Sequence, residues 1–200
     1  TAKVHKIERK KENKNAPLLF NLAELQNECS KLFKISPDET LKITQELYEK
    51  KLVTYPRTDA RVLSTAVAKE IYKNIAGLRN FGPVGAFASE IIENKSYQGL
   101  AKTRYVNDKQ ITDHYAIIPT GQGLSALNSV SAVAGKVYQL ICRRFLSIFY
   151  PPAVYRKVAL TVKIGEETFF ASFKVLAEEG YLVLYQKPAS KQGGDGTASD

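Results

Sequence analysis

Cysteine and histidine are scarce in this 200-residue chain, two of each, and methionine and tryptophan are absent altogether. Cys29 and Cys142 lie inside helical patterns with no metal-ligand spacing around them, which excludes a disulfide framework or a zinc site and leaves reduced core thiols as the expectation. Nothing resembles a charged-then-apolar leader, and no apolar run approaches the roughly 18 residues that would span a bilayer. The expectation is a soluble, cytoplasmic protein with no membrane contact. Acidic residues are also in deficit: 20 Asp and Glu stand against 29 Lys and Arg, for a net charge of +9 and a pI near 9.4. A polyanionic partner such as nucleic acid fits that balance, although a basic chain is not by itself a nucleic-acid binder. Hydrophobic residues make up 44% of the chain, enough for one full core or for one domain and a piece of a second.

What is present divides by periodicity. Val4 and Ile7 allow a strand near the start, whereas the lysine-rich residues 10–15 read as a solvated connector. Asn21 with Glu24 forms a capping pair ahead of Leu22, Leu25, Cys29, Leu32 and Phe33 at helical spacing, predicting a helix over 21–33. Ser36-Pro37-Asp38-Glu39 predicts a second helix running to 51, with Leu41, Thr44, Leu47, Tyr48 and Leu52 on its apolar face and a short strand at 52–55. Helix, tight turn, helix, strand is the order of a helix-turn-helix or winged-helix unit, whose second helix commonly enters a DNA groove.

Further on, Ser64 is placed to cap a helix that ends at Gly77, and another follows on Val84, Phe87, Ala88, Ile91 and Ile92. Residues 94–108 are a polar loop carrying Lys95, Lys102 and Arg104, with Lys109 just after; a solvated loop and a phosphate-contacting one are spelled alike. A long helix is predicted over 129–150, stopped by Pro151-Pro152. The period then changes from helical to alternating. Val158, Leu160, Val162 and Ile164, then Phe169, Ala171, Phe173 and Val175 beyond Gly165-Glu166-Glu167, predict an antiparallel hairpin, and residues 181–185 read as a third short strand. The fold class expected is α+β, mainly helical in the middle and β-rich at both ends. Residues from 188 are Gly-, Ser- and Asp-rich and read as a disordered tail.

Two segments carry chemistry. The first is Thr54-Tyr55-Pro56-Arg57-Thr58-Asp59, where a short apolar strand ends in a tyrosine with an arginine two residues on. A phenol ionises near pH 10, so it attacks a phosphodiester only where cationic and hydrogen-bonding groups stabilise the phenolate and the oxyanion of the transition state. Arg57 supplies such a charge, because residues i and i+2 of an extended chain project to one side, with Pro56 making that alignment approximate. A strand-ending tyrosine beside a surface arginine has the same spelling. The second segment is Asp113-His114-Tyr115-Ala116-Ile117-Ile118-Pro119-Thr120, which holds one of the two histidines.

Together, Tyr-x-Arg-Thr-Asp and Asp-His-x-Ala-Ile-x-Pro-Thr resemble the central part of type IA DNA topoisomerases, with the Tyr-Pro-Arg form nearest the topoisomerase III branch. Pro17-Leu18-Leu19-Phe20-Asn21-Leu22 with Leu25-Gln26 resembles the start of that family's catalytic-tyrosine domain. Thr40-Leu41 through Leu47-Tyr48-Glu49-Lys50 resembles the helix before the tyrosine, and the likeness covers roughly 1–187. It implies four parts: 1–16 as the end of a β-rich arch domain, 17–150 as the catalytic-tyrosine domain, 151–187 as a return into the arch, and 188–200 as the tail.

The resemblance further implies that Tyr55 attacks single-stranded or underwound DNA and becomes joined to the 5′ phosphate of the break, followed by strand passage and religation. Arg57 would position and neutralise the scissile phosphate, for which a bidentate guanidinium suits better than lysine. His114 would donate a hydrogen bond to the phosphate or the neighbouring backbone, and Arg61 would be a further DNA contact, while Asp59 would fix the Arg57 loop. The family binds Mg²⁺ through a separate acidic domain with a Glu and an Asp-x-Asp pattern, and no Asp-x-Asp occurs in this chain. The expectation is therefore a fragment that binds no metal itself, whose partners are DNA and the acidic domain of a longer parent, and which does not relax supercoils alone. A non-catalytic winged-helix DNA-binding module is the alternative. A tyrosine recombinase fits poorly, because His-x-x-Arg should precede the tyrosine, whereas His114 follows Tyr55 and has Ile117 three positions on.

Overall fold

The computed structural model describes residues 1–186, so the tail expected at 188–200 lies outside the described residues. Six α-helices and three strands occur in the order β1 (Ala2–Lys14), α1 (Leu22–Phe33), α2 (Pro37–Glu49), α3 (Thr65–Lys69), α4 (Ile71–Gly77), α5 (Gly85–Glu93), α6 (Ala132–Ser147), β2 (Ala153–Ile164) and β3 (Glu167–Glu178). Four helices begin on a polar side-chain cap, three of them, at Asn21, Ser36 and Ser64, where the sequence places it, and the long helix at Ser131, two residues later than expected. The Asn21 side chain accepts from the Glu24 amide at 2.8 Å, Ser36 from Glu39, Ser64 from Val67 and Ser131 from Ala134, each satisfying an amide that the first turn leaves without an intrahelical partner. α6 is the centre of the helical body, with Val137, Tyr138, Ile141, Cys142 and Phe145 all fully buried. One continuous apolar cluster joins it to Phe20, Leu25, Leu47, Leu63, Ile71 and Ile75.

Three expectations are corrected. The strand at the start runs through Lys14, so residues 10–14 are paired ladder and not connector: Lys10 faces Lys157 and Lys14 faces Ala153. A ladder is built from backbone groups, so a lysine-rich strand pairs as well as an apolar one when its side chains reach water or an acid. Glu12 supplies the acid, 2.8 Å from Lys157 on β2 and 3.3 Å from Lys174 on β3.

The third strand of the sheet is therefore β1, in the order β1-β2-β3, and residues 181–185 are not a strand. They belong to a 3₁₀ helix, Gly180–Tyr185, that buries Tyr181 and Leu184 on one side; this three-residue spacing suits a 3₁₀ turn as well as an apolar run suits a strand. The helix expected from Ser64 to Gly77 breaks at Glu70, where the amide bonds back to the Val67 carbonyl at 3.1 Å, and continues as α4 on a new line. That line carries Gly77 against Gly121, so close that a Cβ on Gly77 would lie 2.0 Å from the Gly121 carbonyl oxygen.

Among the described residues all the α-helices fall between Leu22 and Ser147 and all the paired strands outside them, which gives the α+β arrangement expected. The segment after α2 does not form a two-stranded wing; Val53 makes a single antiparallel bridge to Pro119. Among the described residues no helix is long and apolar enough to cross a membrane.

Candidate active site

The site is made by two segments that the sequence keeps far apart. Residues 114–120 run between Phe20 on one side and residues 52–54 on the other, bridging Ile117 to Phe20 and Pro119 to Val53. Thr54 is the principal fastening: its amide donates to the Ile118 carbonyl at 3.0 Å, its hydroxyl donates to the Ala116 carbonyl at 3.0 Å, and that hydroxyl accepts from the Ile118 amide at 2.9 Å. Thr58, buried, repeats the device three residues after the tyrosine, its hydroxyl donating to the His114 carbonyl at 3.3 Å and accepting from the Ala60 amide. Threonines on either side of Tyr55 thus fasten its segment to the backbone of the histidine segment, Thr58 at His114 and Thr54 at Ala116 and Ile118.

The outcome is a pair of rings. Tyr55 and His114 stand with ring centroids 4.3 Å apart and planes tilted by 36°, and Tyr48 from the last turns of α2 meets the Tyr55 ring edge-on at 5.4 Å. These three line a cavity of about 740 Å³ together with Tyr115, Lys51 and Lys73. Asn74, Thr120 and Gln122 contribute polar groups, and no Asp or Glu lines it. Asn74, itself buried, donates to the Pro119 carbonyl at 3.0 Å and so ties α4 to the histidine segment.

Arg57 is exposed and does not line the cavity, because Pro56 turns inward between it and the half-buried Tyr55. Arg61 is directed into the protein: Nε donates to the Leu19 carbonyl at 3.1 Å, Nη2 donates to the Leu18 carbonyl at 3.3 Å, and Glu24 lies 3.9 Å away. The Asp59 carbonyl accepts from the Asn21 side chain at 3.2 Å, holding the loop after Arg57 against the start of α1. Of the residues singled out by sequence, then, the structure brings Tyr55 and His114 together, leaves Arg57 at the surface and gives Arg61 partners inside the fold. Sequence reasoning missed Tyr48, Lys51, Lys73 and the two threonines. Tyr48 reads as an apolar-face residue of α2 by its spacing, and nothing in the sequence sets it apart from the other residues of that face.

Residues 1–197 of the chain match the protein-family model for DNA topoisomerase. The chain belongs to the type IA DNA topoisomerase family, a family of enzymes. It is 40% identical over 173 residues to DNA topoisomerase 3 of Bacillus subtilis, covering 85% of this chain and 23% of that protein. With DNA topoisomerase 3 of Bacillus anthracis the identity is 34% over 190 residues, covering 92% of this chain and 25% of that one. This topoisomerase chain thus spans about a quarter of the length of the curated relatives it matches. Its fold is similar to full-length topoisomerase I from Thermotoga maritima, with a TM-score of 0.65 over 94% of this chain and 30% of that one, at 20% identity.

Mg²⁺ prefers hard oxygen ligands, carboxylates above all. Among the described residues no group of three or more His, Cys, Asp or Glu side chains is placed to hold a metal, and the cavity presents lysines where carboxylates would be needed. The described residues do not fit the ion.

Proposed function

We propose that this chain is the catalytic-tyrosine segment of a longer type IA topoisomerase. In this reading residues 17–150 are the tyrosine domain and 1–16 with 151–187 the arch strands flanking it. The observation that carries it is the Tyr55–His114 ring pair at 4.3 Å on the wall of a cavity that holds two lysines and no acid. Such a cavity attracts a phosphodiester and disfavours nothing about its charge.

The reaction balances as follows. The Tyr55 oxygen, having given its proton to water, attacks phosphorus in single-stranded or underwound DNA; the new O–P bond forms as the bond to the 3′ oxygen breaks, and that oxygen takes a proton from water and leaves as a hydroxyl. After strand passage the 3′ hydroxyl attacks the phosphotyrosine and restores the chain. His114 donates a hydrogen bond to a non-bridging oxygen, and Arg57, exposed on its flexible stem, folds over the rim onto the same phosphate once DNA is present. The Mg²⁺ of the parent enzyme is held by carboxylates outside this chain, in an acidic domain that packs against the cleft. The 200 residues alone therefore bind DNA in the cytoplasm of the cell weakly and do not relax supercoils.

The test uses the full-length polypeptide with Mg²⁺ and an oligonucleotide labelled at one end, run on a denaturing gel. The 3′ label should travel with the protein and the 5′ label should not, and Tyr55→Phe should abolish the adduct while leaving binding within about twofold. Transfer of the 5′ label instead would mean recombinase-like chemistry. Absence of any adduct would favour the second reading, a non-catalytic DNA-binding module built on the α1-turn-α2 pair, which gains some support from the helix pair and little from the single Val53–Pro119 bridge where a wing would stand.

A further inference from the structure

Lys51 occupies a backbone position made for glycine. It follows the last turn of α2 with φ of 63°, its amide donating to the Tyr48 carbonyl at 2.8 Å while the next amide, of Leu52, reaches back to Leu47 at 2.9 Å. This is the left-handed helix stop in which glycine is strongly favoured because a Cβ is strained there. Two other lysines share that conformation, Lys34 after α1 with φ of 57° and Lys95 after α5 with φ of 54°, but neither lines the tyrosine cavity.

Lys51 also has a companion. Lys73 on α4 lines the same cavity, and the loop over 120–123 bonds to the Lys51 backbone and runs close against that of Lys73. The Thr120 hydroxyl donates to the Lys51 carbonyl at 2.6 Å, and a Cβ on Gly123 would lie 3.0 Å from the Lys50 carbonyl oxygen. On the other side, a Cβ on Gly121 would lie 2.8 Å from the Lys73 carbonyl oxygen. One loop thereby packs against the backbones of two cationic residues, one just past the end of α2 and one on α4. Lys73 has Glu70 at 2.8 Å as a solvent-side partner, so its charge is partly met; the cavity itself supplies no acid to either.

We infer that Lys51 and Lys73 form a phosphate-binding subsite of the cleft, holding the single-stranded DNA backbone at a phosphate beside the one that Tyr55 attacks. This rests on the proposed function and adds a second anchoring point to it. Two backbone phosphates held on either side of the reacting bond fix its direction relative to the tyrosine oxygen, which one contact leaves free to rotate.

The strained backbone makes the test clean, because Lys51→Gly removes the charge while relieving the strain. Binding of a short oligothymidylate to the chain is measured across a salt series, beside thermal unfolding. Each lost phosphate contact should lower the slope of log K against log salt by about 0.7, which is about a fivefold loss of affinity near 0.1 M salt. Lys51→Gly should show that loss with an unfolding temperature equal to or above the parent's, and Lys73→Gln should lower the slope likewise. Lys34→Gly is the matched control, with the same backbone relief outside the cavity, and should bind as the parent does. An unchanged slope in Lys51→Gly, or an equal loss in Lys34→Gly, overturns the subsite and leaves the tyrosine reading standing. If the parent chain shows no salt-dependent binding at all, the DNA reading and the subsite fall together.

Discussion

At the scale of single residues the cavity around Tyr55 and His114 is held together by small polar side chains. Thr54 makes two hydrogen bonds through one hydroxyl, and both hold residues 116–118 against the strand that ends in Tyr55. Replacing it by valine keeps the β-branched shape and leaves the Ile118 amide and the Ala116 carbonyl without that partner. A loss of about 1–3 kcal/mol is expected for Thr54→Val, together with a slower formation of the covalent adduct as the Tyr55–His114 spacing loosens. Chemical denaturation checks the first part and adduct formation in the full-length polypeptide the second; a variant as stable as the parent would show that the hydroxyl is replaceable by water. Tyr55, Arg57 and His114 could be picked from the sequence because they sit in two recognisable motifs. The threonines could not, since a hydroxyl between apolar neighbours reads the same whether it holds a loop or merely suits a strand.

At the scale of elements, capping signals were legible and long-range stops were not. Asn21, Ser36 and Ser64 act where the sequence places them, because a cap is a contact over three residues. The break at Glu70 escapes such reading, since what directs α4 is the approach of Gly77 to Gly121, a contact across the fold. The polar loop after α5 is fastened in the same non-local way. The Asp108 carboxylate accepts from the Thr65 amide at 2.8 Å and the Thr65 hydroxyl at 2.6 Å, at the first turn of α3. Those donors, the hydroxyl first and then the amide, hold its pKa below the ordinary 3.8. A carboxylate lowered by folding stabilises the fold above its unfolded value and loses that contribution as pH falls through the folded one. The Thr65 amide shift, followed by NMR in an acid titration, should therefore move with a midpoint below 3.8, and a midpoint at or above it would mean that the contact is not kept in solution.

At the scale of the whole molecule, one core ties the helical body together and the sheet projects from it, with β3 exposed along its length. Both cysteines are buried in that core and free of any disulfide, as their positions in helical patterns suggest. Burial raises both thiols, that of Cys29 to about 11 and that of Cys142 further. At pH 8 neither should react with a thiol reagent while the protein is folded, and both should react together when denaturant unfolds it, with a rate that follows global unfolding. Rapid modification of one cysteine in the native state would show that its part of the core opens alone.

The sequence by itself determined what acts over a few residues or is written in its own alphabet: the capped helices, the β hairpin at its far end, the basic balance, and the two motifs that mark Tyr55, Arg57 and His114. Tertiary structure alone decided that β1 completes the sheet while residues 181–185 do not, that Tyr55 stands against His114, that Arg61 turns inward, and that Lys51 just past α2 and Lys73 on α4 share one cavity. The physical reason is the range of the forces involved. Caps and periodic burial are satisfied within a turn or two of chain, whereas strand pairing, ring stacking and close backbone approach depend on which distant segment the packed core brings alongside.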